Sequence, residues 1–373
     1  MIPWQNTIKM HGSFIHFFLQ VNFHDLISVI YGFLVLLVLL IAFIIVYTFY
    51  KRKVAYKKKL WRENIAIMIS QVIFNEDDGT APLQISFDDV KLLHKSRFRQ
   101  YVIDEVIPAK KNLSGSATEN LKKLFNTLEL DKDSFKKLRN KKWHIKAKGI
   151  QELAIMEQVK YVKEIFKLTN NKNESVRNEA QCALVSFYGF EGFRFLNVTT
   201  HPISQWQQIS LLNNLHDVQP SNLQVIEKWM QSPNESIIIF SLKLATLYSW
   251  YYAYDQVIRC LQNPDRQIKL NALAYLTKMP REDTPDEVIA QYSFGDKKIK
   301  LAILAILQEV GTEKHLPFLL KQLHNMDDTI KAAAAKTLSY LHPLGIAFLH
   351  THLFADEYPW NAIFLQIEKD RAA

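Results

Sequence analysis

Seven positions in this chain recur at steps of 31, 30, 31, 31, 31 and 31 residues: Ile145, Val176, Trp206, Ile237, Ile268, Ile299 and Ile330. Each is apolar, and most are followed by a basic residue. A short fixed period restricts the fold more than any other feature, because one repeat can bury its apolar face only against its neighbours. The period predicts a stack of units, not one globular core. Four residues after each anchor stands Gly149, Ala180, Ser210, Ser241, Ala272, Ile303 or Ala334; eight after it stands Leu153, Leu184, Asn214, Ala245, Leu276, Leu307 or Leu338. Offsets 0, 4 and 8 share one helix face, so each anchor is expected to open a helix whose core stripe these residues form. The mostly small residue at offset 4 lets two helices approach closely.

Three residues before the anchors lie Asn173, Asn234, Asp265, Asp296 and Asp327, and five before lie Asn171, Ser232, Asn263 and Asn325. Either set suits a helix N-cap. Pro202, Pro233 and Pro264 lie four before, where proline fits a first turn. Glycine is scarce, at 10 in 373 residues, which favours helices joined by short turns. The expected end of the stack is a truncated cap, its anchor at Asn361 and its apolar residues within Ala362–Ile367.

The pattern Asn173-Glu174-Ser175-Val176-Arg177-Asn178-Glu179-Ala180-Gln181-Cys182-Ala183-Leu184 resembles the HEAT-like repeat, in its roughly 30-residue bacterial form named after phycobilin lyases. Asp327 through Leu338 is nearly as close. The basic position recurs as Lys146, Arg177, Lys269, Lys300 and Lys331 and is lost at Gln207 and Ile238, so the central units fit less well. The resemblance covers about residues 130–373. It implies an all-α solenoid of about seven helix pairs. It also implies a ladder in which Asp265, Asp296 and Asp327 pair with Lys269, Lys300 and Lys331 of neighbouring units. It does not imply an activity, since a fold hosts many.

Upstream of the repeats, no charge occurs between Asp25 and Lys51. The intervening Leu26–Tyr50 would be roughly 37 Å long as a helix, against a hydrocarbon layer of roughly 30 Å. Tyr47, Phe49 and Tyr50 suit the headgroup boundary. A cleaved signal peptide would have a shorter apolar region and small residues at its cleavage site, so a permanent span is expected. Lys51, Arg52, Lys53, Lys57, Lys58, Lys59 and Arg62 follow it and only Lys9 precedes it. The positive-inside rule then places the C-terminal side in the cytoplasm and residues 1–25 outside. The same seven basic residues are the candidate contacts with anionic lipid headgroups.

The segment 51–74 is expected to continue the span as one helix, with Ile65, Met68, Ile69 and Val72 on one face. Asn75–Pro82 breaks it, and Ser86 is the expected cap of a helix from about 87 to 107 that stops near Pro108. A further helix is expected at 117–129. The domain reading is therefore 1–25 extracytoplasmic, 26–50 transmembrane, 51–130 basic juxtamembrane and 131–373 solenoid. Between Lys132 and Lys148 eight basic residues meet one acid, Asp133; this run reads either as a docking face for an acidic partner or lipid, or as a solvated helix face. The 151–373 body holds 22 basic and 24 acidic residues, so nucleic acid is not an expected partner.

Catalytic signatures are missing. None of the 12 histidines precedes a glutamate, the dipeptide that di-iron hydroxylases of this architecture use, and no metal, phosphate-loop or nucleophile-elbow motif occurs. His350 and His352 point to different sides of a helix. No cofactor or metal is expected. Cys182 and Cys260 read as buried free thiols. Two aromatic groups remain. The Phe187–Phe195 group is expected to fill core. In the Tyr248–Tyr254 group five aromatics within seven residues cannot share one core stripe, so Tyr251, Tyr252 and Tyr254 are the candidate partner contacts, on the inner surface of the central units, with Trp250 partly buried. The function expected is a membrane-anchored cytoplasmic scaffold binding protein partners, with no reaction of its own; the alternative is a membrane-tethered lyase or isomerase of the phycobilin-lyase-like group.

Overall fold

The computed structural model describes residues 23–74, 91–215, 223–341, 345, 347, 349 and 358–372. The expectations for residues 1–22, for the break at 75–82, for the Ser86 cap and for His350 and His352 lie outside the described residues. Among the described residues every regular element is a helix. The chain forms two compact units, Met1–Leu130 and Asp131–Ala373.

In the first unit α1 (Phe23–Ile73) is one unbroken helix of 51 residues, roughly 76 Å long. Its N-terminal half is long and apolar enough to cross a membrane, and none of that apolar window is buried. Its C-terminal end is different. Ile65, Met68, Ile69 and Val72 recur at helical spacing and are all buried, against α2 (Ser96–Asn112) and α3 (Ser116–Thr127). Phe98, Val102, Ile103 and Val106 of α2 and Leu121, Leu124 and Phe125 of α3 complete this small core. The Asn120 amide donates to the Val72 carbonyl at 3.2 Å, satisfying one of the carbonyls that every helix end leaves open. The helix expected at 87–107 is interrupted: residues 91–93 are helical. The chain turns at His94-Lys95, and α2 starts at Ser96 and runs through Pro108 to Asn112. Proline has no N–H, so the helix gives up one backbone bond there without ending.

The second unit is a succession of helix pairs. The longer members carry the repeated stripe: α5 (Trp143–Ile155), α7 (Glu174–Tyr188), α8 (Gln205–Asn213), α10 (Glu235–Leu247), α12 (Arg266–Lys278), α14 (Lys297–Val310) and α16 (Asp328–Leu341). Shorter members alternate with them: α4 (Leu130–Leu138), α6 (Val162–Phe166), α9 (Val225–Trp229), α11 (Tyr254–Cys260), α13 (Thr284–Ala290) and α15 (Leu316–Leu323), with a 3-10 segment, Gly189–Asn197, between α7 and α8. Neighbouring long helices pack on each other, α5 on α7, α10 on α12, α12 on α14 and α14 on α16. This is an all-α solenoid. Val176, Ala180 and Leu184 show the stripe at 0–1 % exposure, as do Ile268, Ala272 and Leu276 at 0 %. A buried leucine is worth about 1.5–3 kcal/mol relative to exposure, so the stripes outweigh the modest propensity of these sequences to be helical alone.

Two registers differ from expectation. Trp206 is 75 % exposed, and the buried anchor of α8 is Gln207. Moving the ruler by one residue brings Leu211 onto the stripe, where it is fully buried, and makes Ser204 the cap three residues upstream. The single step of 30 residues therefore falls after this unit, not before it. At the C-terminal end, Asn361 is exposed and the buried residues of α17 (Trp360–Ala372) are Ile363, Phe364 and Ile367. That register turns the apolar face of α17 inward and leaves Lys336 of α16 paired with Asp370.

The two capping sets act in series. Asn173, Asn234, Asp265, Asp296 and Asp327 accept from the first-turn amides of their helices. Asn171, Ser232, Asn263 and Asn325 each accept from the backbone N–H of the cap residue two positions on, which fixes the entry angle of the chain. Asn140 does the same for Lys142 at the first repeat. The ladder forms from other cations than expected: Arg266 pairs with Asp296, and Lys297 with Asp327. These cations sit at the start of the helix, side by side with the cap of the next unit. Lys300 and Lys331, two of the three expected cations, serve their own unit instead, as does Arg177 at the same position of an earlier unit. Arg177 donates to the Asn171 and Lys172 carbonyls, Lys300 lies over the Tyr292 ring, and Lys331 pairs with Asp328.

Candidate functional site

The turn after α10 is built to hold its aromatics still. Tyr248 ends the helix, and Ser249 takes the left-handed conformation at φ 50°. Trp250 N–H then donates to Ala245 O at 2.9 Å and Ser249 N–H to Thr246 O at 3.4 Å. This is a Schellman closure with serine where glycine usually stands. The Tyr275 hydroxyl from α12 donates to the Trp250 carbonyl at 2.7 Å, the Trp250 indole donates to Glu227 at 3.2 Å, and Arg281 donates to the Tyr251 carbonyl and to Asp255. On this fixed turn Tyr251 and Tyr252 are 64 % and 74 % exposed, and the Tyr252 ring leans on Trp250 with ring centroids 4.9 Å apart. Rigid, amphipathic rings offered to solvent cost little entropy on binding. They lie on the turn between α10 and α11, not on the face of a long helix.

Tyr254 departs from the expected surface. It opens α11 and is 2 % exposed. Its hydroxyl lies 2.8 Å from both Asp283 and Thr284, and the Arg281 guanidinium covers its ring at 4.0 Å. Burial, with the Asp283 carboxylate beside it, raises its phenol above the ordinary value. Position 254 falls on the first inward-facing turn of α11, so burial claims the third tyrosine. Arg281 and Tyr275, which hold the turn from 25 to 30 residues downstream, gave no signal in the sequence. Most of the other aromatic group is core: Phe190, Phe193 and Phe195 are buried, Phe193 meets Phe190, Trp229 and Phe240 edge-on and Phe195 at a tilt, and only Tyr188 of the group is exposed.

The seven basic residues after the apolar half of α1 divide by helix face. Lys53, Lys57 and Lys58 line a groove of about 840 Å³ that Lys95, Ser96 and Arg97 of the α2 entrance close from the other side. Lys58 also lies over the Tyr101 ring. Arg62 is bound to Glu105 at 2.9 Å, and Lys59 faces Glu63 at 3.9 Å. Lys51 and Arg52 are exposed outside the groove. Sequence reasoning missed the second wall because it lies some forty residues on, although Lys95-Ser96-Arg97-Phe98-Arg99 is visibly basic. In the Lys132–Lys148 run, most cations are exposed, but Lys137 is drawn inward. It binds the buried Glu152 at 2.6 Å, and the Ser134 hydroxyl donates to the same carboxylate.

Among the described residues no group of three or more His, Cys, Asp or Glu side chains converges as metal ligands would. Both cysteines are free, and burial pushes the Cys182 thiol up to about 12 and the Cys260 thiol to about 11.

No family model matches the chain, and no curated protein matches it. Solved structures do. One is an engineered protein, 12 % identical, with 83 % of this chain and 98 % of that chain covered and a TM-score of 0.37. Another is human deoxyhypusine hydroxylase in complex with glycerol, 12 % identical, covering 84 % and 96 %, with a TM-score of 0.28. A third is a designed armadillo repeat protein in complex with the peptide (KR)4, 12 % identical, covering 74 % and 98 %, with a TM-score of 0.24. Likeness this distant carries no argument about what the chain binds or does.

Proposed function

We propose that this chain is a single-pass membrane protein whose helical-repeat domain is a cytoplasmic scaffold for protein partners, with no reaction of its own. The observation that carries the reading is α1. One helix leaves an uncharged stretch of 25 residues uncovered and then continues, without a break, into a packed core. Each uncovered leucine or isoleucine forgoes about 1.5–3 kcal/mol in water, which a hydrocarbon surrounding restores. Cleavage behind the apolar stretch, as in a signal peptide, would cut the helix that Ile65, Met68, Ile69 and Val72 anchor. The charge asymmetry around the stretch supports a cytoplasmic repeat domain. A bacterial origin and kinship with phycobilin-lyase-type repeats belong to this reading and rest on the repeat pattern alone.

Attachment confines the solenoid to one surface and raises its effective concentration there. The partner-binding residues in this reading are Tyr251 and Tyr252, on their braced turn. The test is affinity purification from solubilised membranes with the wild type and with Tyr251→Ala/Tyr252→Ala. Both substitutions are at exposed positions, so a folded variant is expected, its thermal melting within about 0.5 kcal/mol of the wild type. Loss of at least one protein partner supports the surface. Retention of every partner by the folded variant overturns it, and recovery of a bound small molecule in place of a protein turns the reading toward the enzyme.

A further inference from the structure

The groove between α1 and the start of α2 is not a diffuse basic surface. Five cations, Lys53, Lys57, Lys58, Lys95 and Arg97, face one concavity from two helices, and no carboxylate belongs to its described lining. Its volume of about 840 Å³ lies within the roughly 300–1,000 Å³ of small-molecule sites, larger than a single phosphate needs. Ser96 is the first residue of α2, whose cap residue Lys95 offers no side-chain bond to the first-turn amides, so the positive helix end adds to the same concavity. Tyr50, Trp61 and Tyr101 supply flat apolar walls. Tyr50 is also the last residue of the uncharged stretch, and Lys57 lies about 10 Å further along the helix axis. In the anchored reading the groove therefore opens at headgroup depth.

We infer that this groove binds one membrane lipid through a polyphosphorylated head group; the inference rests on α1 being the membrane anchor. Charge balance selects the ligand. Five like charges held together repel, and a singly charged head group leaves most of that repulsion in place. A polyol ring with two phosphomonoesters and its diester carries about four to five negative charges, close to what the groove presents. Lysines and an arginine reaching from two helices suit phosphates at different ring positions, and the aromatic walls suit the ring itself.

The experiment is native mass spectrometry of the detergent-solubilised full chain titrated with dioctanoyl phosphatidylinositol bisphosphate. Dioctanoyl phosphatidylserine and the free head group, inositol trisphosphate, are titrated in parallel. The expected result is one bisphosphate lipid per chain, bound about ten-fold or more tighter than either comparison ligand, and a loss of about ten-fold in Lys95→Gln/Arg97→Gln. Lys51→Gln/Arg52→Gln removes the same charge outside the groove and is expected to cost no more than about three-fold. Lys53→Gln/Lys57→Gln repeats the test from the other wall, with circular dichroism checking that each variant stays helical. Equal losses in the groove and control variants, or serine lipid bound as tightly as bisphosphate lipid, overturns the site. Inositol trisphosphate bound as tightly as the lipid overturns the lipid as its ligand. Alkaline carbonate washing of membranes reports the anchor separately: a chain that stays in the pellet while the variants behave alike overturns the groove alone, and a chain released to the supernatant overturns the anchored reading with it.

Discussion

At the scale of the residue, burial decides which of the three candidate tyrosines is surface and which is structure. Tyr254→Phe removes a hydroxyl held 2.8 Å from both Asp283 and Thr284 while keeping the ring under Arg281. Leaving those partners without it is expected to lower stability by about 1–2 kcal/mol, measurable by urea unfolding of the full chain in detergent. The composition of the Tyr248–Tyr254 group showed that some of these rings must be exposed. It did not say which, because that depends on Arg281, Tyr275 and Asp283 arriving from the next repeat. Buried acids also set an alkaline limit. Burial raises the Tyr275 and Tyr292 phenols to about 12 and the Cys260 thiol to about 11. In the unfolded chain these groups ionise near their ordinary values of about 8.5 to 10. Between the two sets of values the unfolded state has lost protons that the folded state keeps, so stability falls as pH rises. It is fully present below about pH 8 and is expected to fall progressively from there to about pH 12, as thermal melts across that range would show.

At the scale of the element, the stripes and caps were legible because both are set by spacing within one helix. The anchors, the small residues at offset 4 and both capping sets appear where the period puts them, except in α8, where the ruler slips from Trp206 to Gln207, and in α17, where Asn361 is exposed; the first anchor, Ile145, is only half-buried. An exposed tryptophan and a buried glutamine invert the usual order, and hydrophobicity alone chose the wrong one of two adjacent residues. Inside, the Gln207 amide N–H donates to Gln181, which in turn donates to the Thr169 carbonyl, while Gln207 Oε1 is buried without a partner. The ladder was misread for a related reason: which cation meets the next unit's cap depends on how neighbouring helices stand side by side. Gly149 shows the small-residue rule at its strictest. A methyl group there would lie 2.6 Å from the Leu138 amide nitrogen and 2.7 Å from the Ser134 carbonyl oxygen, both of them backbone atoms of α4. Gly149→Ala, which in an open helix gains about 1 kcal/mol, is therefore expected to lose about 1–3 kcal/mol here. Chemical denaturation of the variant beside the wild type checks the sign.

At the scale of the whole molecule, the chain joins an uncovered apolar helix to a repeat stack that covers its own apolar face. The first half of that description was legible from the run between Asp25 and Lys51, and the second from the 31-residue ruler. The groove was not legible, because its two walls are brought together only when α2 packs against the far end of α1. Everything proposed for this chain requires α1 to be a permanent anchor with the repeats on the cytoplasmic side. The direct measurement is the fluorescence of carbonate-washed bacterial membranes carrying the full chain with a green fluorescent protein fused after Ala373. A permanent anchor with cytoplasmic repeats predicts bright washed membranes and a dark supernatant, since the fluorophore forms in the cytoplasm and the span resists extraction. Fluorescence released to the supernatant, or membranes that hold the chain but stay dark, would contradict it.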